Sequence, residues 1–270
     1  MKRISHIIGC ICALALSSCS SMYIPSMGNA PLLNTQGDIQ AEVSVTTNAV
    51  QLGGAYAISD HLAGMANMNI SYGNISNSYD IYTTKNEDST TLADLTNWGK
   101  FNNRNYEVGV GYYNIFNNDH FKMEAFGGLG YCHATDENTH ITNAMEKYNT
   151  NYTMLFGQVN TGLSTQVCDF GLAFRVAPTF HSFKWETENY NTPNSYQSGT
   201  EHFTLFHVEP LLFLRLGWNH FKISAKAGIS YPFETQSYKD AQDIIPNSTY
   251  IKTTLVHFSL GACFSFNNAK

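Results

Sequence analysis

Charged residues are scarce in this chain of 270 residues: they make up 13% of it, about half the share found in an average soluble domain. The 15 Lys and Arg are outnumbered by 21 Asp and Glu, so nothing in the composition favours a nucleic-acid partner. Long apolar runs are also missing. The longest covers about ten residues near the N-terminus, whereas a transmembrane helix needs roughly 20. If the chain crosses a membrane, it must therefore do so as β-strands.

The N-terminus has the parts of a secretory signal. Lys2 and Arg3 supply positive charge, an apolar stretch runs from Ile7 to Leu16, and small residues follow. Residues 16–19, Leu-Ser-Ser-Cys, resemble the lipobox of bacterial lipoproteins, in which the cysteine is diacylated and becomes the first residue of the mature chain. The resemblance implies a lipid on Cys19. The alternative is an ordinary signal peptide with a chance cysteine.

Three regions follow from this interpretation. Residues 1–18 are expected to be a lipoprotein signal peptide, residues 19–36 a lipidated tether, and residues 37–270 a β-barrel domain. Removal of residues 1–18 takes away two basic residues and no acidic one, which changes the formal net charge from −6 to −8.

Cysteine is too sparse for a disulfide framework. Of the six cysteines, two lie in the signal and Cys19 would be acylated. The remaining three, Cys132, Cys168 and Cys263, form an odd set at irregular spacing, so we expect unpaired thiols.

From Gly37 onward, apolar and polar residues alternate with the period of two that is typical of β-strands. In the last segment, Val256, Phe258 and Leu260 alternate with His257 and Ser259. Ten such strands are predicted, at about residues 38–46, 49–59, 62–72, 105–116, 120–133, 151–167, 170–183, 202–217, 220–231 and 251–266. No amphipathic helix competes outside the loops. Two prolines, Pro178 and Pro210, fall inside predicted strands, where we expect bulges or a shift of register.

The connections alternate in length. Four of them are tight turns, near residues 59–62, 117–119, 168–169 and 217–219, and four are long polar loops, near residues 73–104, 134–150, 184–201 and 232–250. The first hairpin departs from this rule by turning tightly at Thr47-Asn48. Short turns at one end and long loops at the other are typical of outer-membrane barrels, whose short turns are periplasmic. Ten strands place both chain ends on the turn side, where a lipid in the inner leaflet would also lie.

Physical chemistry explains the alternation. Lipid offers no hydrogen bonds, so a spanning sheet must close on itself, with one face toward lipid and the other toward a polar lumen. Aromatic girdles are expected at both interfaces. We predict Tyr72, Tyr106, Tyr131, Tyr152 and Tyr231 on the loop side, and Phe116, Phe121, Phe170 and Trp218 on the turn side. The architectural alternative is a soluble barrel, which would have an apolar interior and a polar exterior.

Several N-terminal motifs resemble a known group of proteins. They are the lipobox, residues 22–25 (Met-Tyr-Ile-Pro), residues 31–33 (Pro-Leu-Leu), residues 37–40 (Gly-Asp-Ile-Gln) and residues 55–62. Together they look like outer-membrane β-barrel lipoproteins of the Bacteroidota, which are porin-like barrels. The resemblance implies an outer-membrane location and supplies no activity.

By strand parity, a polar network is expected in the lumen. Its members are Glu42, Glu107, Lys122, Glu124, Arg175, His207, Glu209, Arg215, Lys222 and Lys226, and His181 and His257 share the same face. A narrow barrel fills with side chains, so an ion-paired interior is one interpretation and a narrow polar pore is the other. His207 and Glu209 could support acid–base chemistry or a metal, but two residues are too few for a zinc site. We expect no metal and no cofactor.

Candidate catalytic residues at the loop-side rim are common types without a diagnostic spacing: Asp80, Asp88, Asp94, Asp136, His133 and His140. We therefore expect no enzyme activity, with a rim hydrolase as a remote alternative. Large rings in the polar loops suit contact with a glycan or protein, or packing of the loops themselves. They are Tyr79, Tyr82, Trp98, Tyr148, Trp185, Tyr190, Tyr196, Tyr238 and Tyr250. The sequence thus predicts an antiparallel up-and-down transmembrane β-barrel of about ten strands, with outer-membrane lipids and possible surface ligands as partners. Its expected role is structural or surface interaction through the loops; the alternatives are a narrow channel or, less favoured, an outer-membrane hydrolase or a soluble periplasmic ligand-binding barrel.

Overall fold

The computed structural model describes residues 23–26, 28–46, 49–80, 94–116, 120–139, 145–188, 195–218, 220–245 and 256–266. The expected signal peptide, residues 1–18, and Cys19 lie outside these residues. Within the described part of the chain, no helix is long and apolar enough to span a membrane.

Strands dominate the structure. They are β1 (Ile39–Val45), β2 (Ala49–Ala57), β3 (Leu62–Asp80), β4 (Asp94–Phe116), β5 (Phe121–Thr139), β6 (Met145–Ser164), β7 (Cys168–Glu188), β8 (Tyr196–Trp218), β9 (Phe221–Ile229), β10 (Tyr231–Glu234) and β11 (Val256–Phe266). One helix, α1 (Gln236–Ile244), follows β10.

The sheet closes into an antiparallel barrel. Neighbours along the chain pair in order from β1 to β9, β9 pairs with β11, and β11 returns to β1. Strand β10 continues β9, because Tyr231 pairs with Val208 in the register in which Gly228 pairs with Leu211. Ten strands therefore form the wall, which confirms the predicted fold class.

The outer face of the wall carries an apolar band. On β8, the outward side chains are apolar from Phe206 to Trp218 and polar from Thr204 onward to the loop end. On β7, the same boundary falls between Phe180 and Ser182. Twelve steps along β8 cover about 40 Å of strand, or roughly 30 Å along the axis at a tilt of about 40°. That height suits a bilayer, and the inside-out distribution contradicts the soluble-barrel alternative.

The predicted loops are shorter than the sequence suggested. Strands extend into three of them: β3 and β4 pair from Tyr72–Asn102 out to Asp80–Asp94, and β5–β6 and β7–β8 lengthen in the same way. In the fourth, β10 and α1 occupy residues 231–244. The alternation signal stops at the edge of the apolar band because side chains beyond it meet water on the outer face. The main-chain ladder nevertheless continues.

Both strand prolines are accommodated without bulges. Pairing between β6 and β7 is interrupted opposite Pro178 and resumes in the same register, with Met154–Thr179 on one side and Gly157–Val176 on the other. Pro210 lies where β9 gives way to β10. Each missing N–H therefore coincides with a local gap in the ladder, and the expected bulges are absent from these described strands.

Most of the predicted girdle faces outward. Tyr106, Tyr131 and Tyr231 are exposed on the loop side, as are Phe116, Phe170 and Trp218 on the turn side, and Phe121 is half-exposed. Tyr152 is the exception, since it is 1% exposed and points into the barrel. The side chain of Tyr72 lies outside the described part.

Candidate functional site

The interior of the barrel is the candidate functional site. All ten residues expected in the lumen network point inward, and each is at most 7% exposed. His181 and His257 lie on the same inner face, at 4% and 9% exposure. Because a buried charge is costly unless it is paired, the partners of these groups determine what the interior can do.

One ion cluster centres on Arg175. Its Nη1 and Nη2 atoms donate to Oε2 and Oε1 of Glu107 at 3.0 and 2.9 Å, the bidentate geometry that gives the strongest such pairs. Its Nε lies 3.4 Å from Oε2 of Glu209, and its guanidinium carbon lies 4.5 Å from the ring centre of Phe156. Arg175 therefore bridges two carboxylates that strands β4 and β8 bring together across the lumen.

A second cluster centres on Glu42, which lies on the short strand β1. Lys226 Nζ lies 2.9 Å from Glu42 Oε1, and Arg215 Nη2 donates to Oε2 at 3.2 Å. Ser224 also donates its hydroxyl to Oε1 at 2.8 Å. Two cations and one carboxylate thus share one buried site between β1, β8 and β9.

The third cluster contains Asp169, which lies in one of the predicted tight turns. Lys222 Nζ donates to Oδ1 of Asp169 at 2.6 Å, and Ser164 donates to the same atom at 2.7 Å. Asp169 is the second residue of β7 and is 4% exposed. With Asp169 included, the network holds five basic and five acidic residues. An excess of one cation among the predicted residues was the signal that could have revealed it.

The segment predicted as a tether lies inside the barrel. The described residues from Tyr23 to Leu33 are buried or nearly so, with Ala30 at 0% and Leu33 at 3% exposure. The segment enters at the turn side, where the N–H of Gly37 donates to the carbonyl of Ala57. Its sequence has no charged residue and several small ones, which suits a segment packed against a buried wall. We call residues 23–36 the N-terminal segment.

One peptide group of this segment is held between two charges of β5. Lys122 Nζ donates to the carbonyl oxygen of Leu32 at 2.6 Å, and the N–H of Leu33 donates to Glu124 Oε1 at 2.9 Å. Lys122 and Glu124 are two residues apart on one face, about 7 Å along the strand. The peptide group fills that distance.

The conformation of Leu32 shows that this arrangement is imposed. Its φ is +54°, a left-handed conformation that costs a residue with a Cβ about 1–2 kcal/mol. It is the one positive-φ residue other than glycine in the described part of the chain. The left-handed conformation directs the following peptide group toward Lys122 and Glu124.

Further contacts hold the segment through its main chain. The carbonyl of Asn29 accepts from Gln158 at 2.8 Å and from Asn160 at 3.2 Å, and Asn160 also donates to Glu124 at 3.0 Å. Lys226 reaches the carbonyl of Gly28 at 3.4 Å. Wall side chains thus bind backbone groups of the segment.

Tyr23 ends the described segment in an aromatic and acidic niche. Its hydroxyl donates to Glu209 Oε1 at 2.8 Å, and its ring stacks on His207 with centroids 3.7 Å apart. Tyr152 lies beside it at 5.7 Å. The inward orientation of Tyr152, which the girdle prediction missed, is explained by this contact.

These contacts limit acid–base chemistry at His207 and Glu209. Glu209 is engaged by Tyr23, Ser230 and Arg175, and Tyr23 covers one face of the imidazole of His207. A substrate therefore has no open approach to the pair from that face. Within the described residues, no group of three or more His, Cys, Asp or Glu could hold a metal ion.

The rim residues do not assemble into a described catalytic group. Asp136 is 1% exposed, and His133 lies 2.7 Å from Asn151 through Nδ1. Asp88 and His140 lie outside the described residues, as do the side chains of Asp80 and Asp94.

A neutral polar strip faces the clusters from β3 and β4. Asn69 pairs with Asn105, and Ser71 pairs with Asn103, along the ladder; all four are at most 2% exposed. Several of their polar atoms have no hydrogen-bond partner within the described structure, including both side-chain atoms of Asn69. A gap of about 10 Å³ near Asn29, Asn67 and Lys226 has room for one water molecule. The interior therefore combines ion clusters and a neutral polar strip with buried apolar side chains such as Phe126, Phe156 and Phe203.

No protein-family model matches the chain, and no curated protein matches it. Among solved structures, it is similar to a major outer membrane protein from Thermus thermophilus, at 13% identity and a TM-score of 0.40, over 85% of this chain and 98% of that one. It is also similar to CarO2 of Acinetobacter baumannii (10% identity, TM-score 0.33, 86% and 100% coverage) and to CarO of the same organism (13%, 0.29, 88% and 100%). These are likenesses of barrel fold.

Proposed function

We propose that the protein is an outer-membrane barrel, acylated at Cys19, whose lumen is closed by its own N-terminal segment. Its role is structural or surface interaction through the hairpins on the loop side. The observation that supports this proposal is the N-terminal segment inside the lumen, where buried charges bind its main chain and it occupies the path that a solute would take.

The membrane location rests on the surface of the barrel. Outward residues such as Leu212 (58% exposed), Val110 (63%) and Leu260 (64%) belong to an apolar belt that is too extensive for a surface in contact with water. The charges lie on the opposite face of the wall, where they are paired. A closed wall with apolar outside and polar inside is the arrangement that a bilayer requires.

The loop-side hairpins supply the surface for interaction. Beyond the apolar band, β7 and β8 carry outward polar residues such as Lys184, Glu186 and Thr200. Tyr196 is 54% exposed at the start of β8 and suits contact with a glycan or a protein. The other described loop aromatics instead pack internally: Tyr148, Trp185 and Tyr238 are at most 9% exposed.

Two measurements on the purified full-length chain test this proposal. Folded barrel should migrate faster on a gel before boiling than after it, and it should show no steady conductance in a planar bilayer. If migration is unchanged and the protein leaves the membrane without detergent, the protein is not a membrane-spanning barrel. A steady open conductance would contradict closure by the segment.

A narrow channel is the second candidate, and the neutral strip of Asn69, Ser71, Asn103 and Asn105 favours it. Buried amide atoms without partners, such as both polar side-chain atoms of Asn69, are suited to water or to an uncharged polar solute. In this function, the N-terminal segment would leave its seat. A variant lacking residues 23–33 should then conduct in a bilayer, whereas a deletion variant that folds and stays closed would exclude the channel.

A further inference from the structure

The course of the N-terminal segment runs from the turn side toward the loop side. Near the turn side, the Asp38 carboxylate accepts from the N–H groups of Asn34 and Thr35. Leu33 lies at Glu124, three residues from the turn-side end of β5. Tyr23 lies at Glu209, nine residues from the turn-side end of β8.

Tyr23 therefore lies close to the loop-side edge of the apolar band. Glu209 is three residues from Phe206, where the apolar outward face of β8 ends, and nine from Trp218, where it begins. Nine residues correspond to about 30 Å of strand and roughly 23 Å along the axis. The turn-side interface is thus far below Tyr23, and the loop-side interface is near.

The wall of the barrel is shorter on the side of β1 and β2 than elsewhere. Strand β1 ends at Val45, which pairs with Leu260, and Leu260 pairs in turn with Ala225 on β9. Ser230, which shares Glu209 with Tyr23, lies five residues beyond Ala225 toward the loop end. The β1–β2 hairpin has therefore already ended where Tyr23 is bound, while β3 to β8 continue upward. Among the described strands, the wall is therefore lowest beside the β1–β2 hairpin.

We infer that the chain before Tyr23 leaves the barrel on the loop side, over the β1–β2 hairpin, and delivers Cys19 to the outer face of the membrane. Three residues separate Cys19 from Tyr23, and these four steps reach at most about 14 Å, which is less than the roughly 23 Å between Tyr23 and the turn-side interface. A lipid on Cys19 then enters the outer leaflet. The inner-leaflet position expected from strand number alone is incompatible with the seated segment.

This inference rests on the proposed orientation and acylation, and labelling of single cysteines on intact cells tests it. The probe is a membrane-impermeant maleimide, and the test variant is Ser21→Cys in the full-length chain. The controls are Ser198→Cys on the exposed β7–β8 hairpin and Asp60→Cys in the exposed turn at the opposite end. The native thiols Cys132 and Cys263 are buried, and the half-buried Cys168 is replaced by serine in every chain compared, so the chain without an added cysteine gives the background.

We expect Ser21→Cys to react on intact cells at a rate within about twofold of Ser198→Cys, while Asp60→Cys reacts after permeabilisation. Reaction of Ser21→Cys with the kinetics of Asp60→Cys, or reaction after denaturation alone, overturns the inference. If the two controls exchange behaviour, the proposed orientation is wrong, and residue 21 still reports which end the segment leaves. If the chain without an added cysteine reacts at Cys19, then Cys19 is not acylated, and the proposed acylation is wrong rather than the path of the segment.

Discussion

Exchanging the two charges that hold the N-terminal segment should release it without changing the composition or net charge of the barrel. In the native chain, Lys122 faces the carbonyl of Leu32, and Glu124 faces the N–H of Leu33. In the double variant Lys122→Glu, Glu124→Lys, a carboxylate faces the carbonyl oxygen and an ammonium faces the N–H. Both favourable contacts then become repulsive, because the peptide dipole has one direction.

The size of the effect follows from the two contacts. A hydrogen bond to a charged group contributes about 1.5–3 kcal/mol, so the exchange removes about 3–6 kcal/mol from binding of the segment. Since about 1.4 kcal/mol corresponds to a factor of ten, the displaced population should rise by roughly 10² to 10⁴.

The matched control exchanges a direct ion pair that does not touch the segment. Lys222 and Asp169 contact each other at 2.6 Å, so Lys222→Asp with Asp169→Lys restores an attractive pair of opposite polarity. That variant should keep the segment seated, although nearby hydrogen bonds of Asp169 and Lys222 must rearrange.

Release is measured as the labelling rate of Ala30→Cys by a maleimide in detergent solution, in chains that also carry Cys168→Ser because that native thiol is half-buried. Ala30 is 0% exposed, so its labelling requires displacement of the segment. We expect the exchanged variant to react at least 100-fold faster than the parent, with the control variant close to the parent. Equal rates in the parent and the Lys122–Glu124 exchange would refute the role assigned to this peptide group.

Three further predictions concern the wall. In a urea titration, Gly128→Ala should cost about 1–3 kcal/mol of stability, because a Cβ there collides with a carbonyl of the neighbouring strand. Gly127→Ala should be neutral in that titration, because the nearest atom to its Cβ lies at 3.8 Å. Leu212→Arg, at the middle of the apolar band, should cost about 2–4 kcal/mol in lipid and Thr200→Arg about 0–1; equal costs would contradict the assigned membrane boundary. Arg175→Met should cost about 3–5 kcal/mol, because it leaves two buried carboxylates unpaired; a loss below about 1 kcal/mol would mean that the pair is solvated.

The wall of the barrel was predictable because each strand obeys one local rule. Lipid on one side and a polar interior on the other force alternation at every residue of the band. A run such as Phe170, Leu172 and Phe174 therefore identifies the lipid-facing side, and Arg175 must point inward. Strand number, fold class and the inward direction of the charges all follow from that rule.

The remaining features depend on contacts that periodicity does not encode. The N-terminal segment has no alternation because the wall surrounds it and contacts both its main chain and side chains such as Tyr23 and Leu32. Asp169 falls in a predicted turn, because the alternation pattern alone does not distinguish a strand that starts at residue 170 from one that starts two residues earlier, at Cys168. Tyr152 has the amphipathic character of a girdle residue, and its contact with Tyr23 explains its inward position.

Glycines in the wall indicate that the barrel is shaped around the segment. A Cβ on Gly162 would lie 3.1 Å from the side chain of Leu32. The segment reciprocates, since a Cβ on Gly28 would lie 3.0 Å from Gln158 of the wall. Without the segment, these positions would widen a lumen in which Lys122 and Glu124 have lost their partners. The charges and the missing side chains thus require the same occupant, so the segment belongs to the folded barrel rather than to a flexible leader.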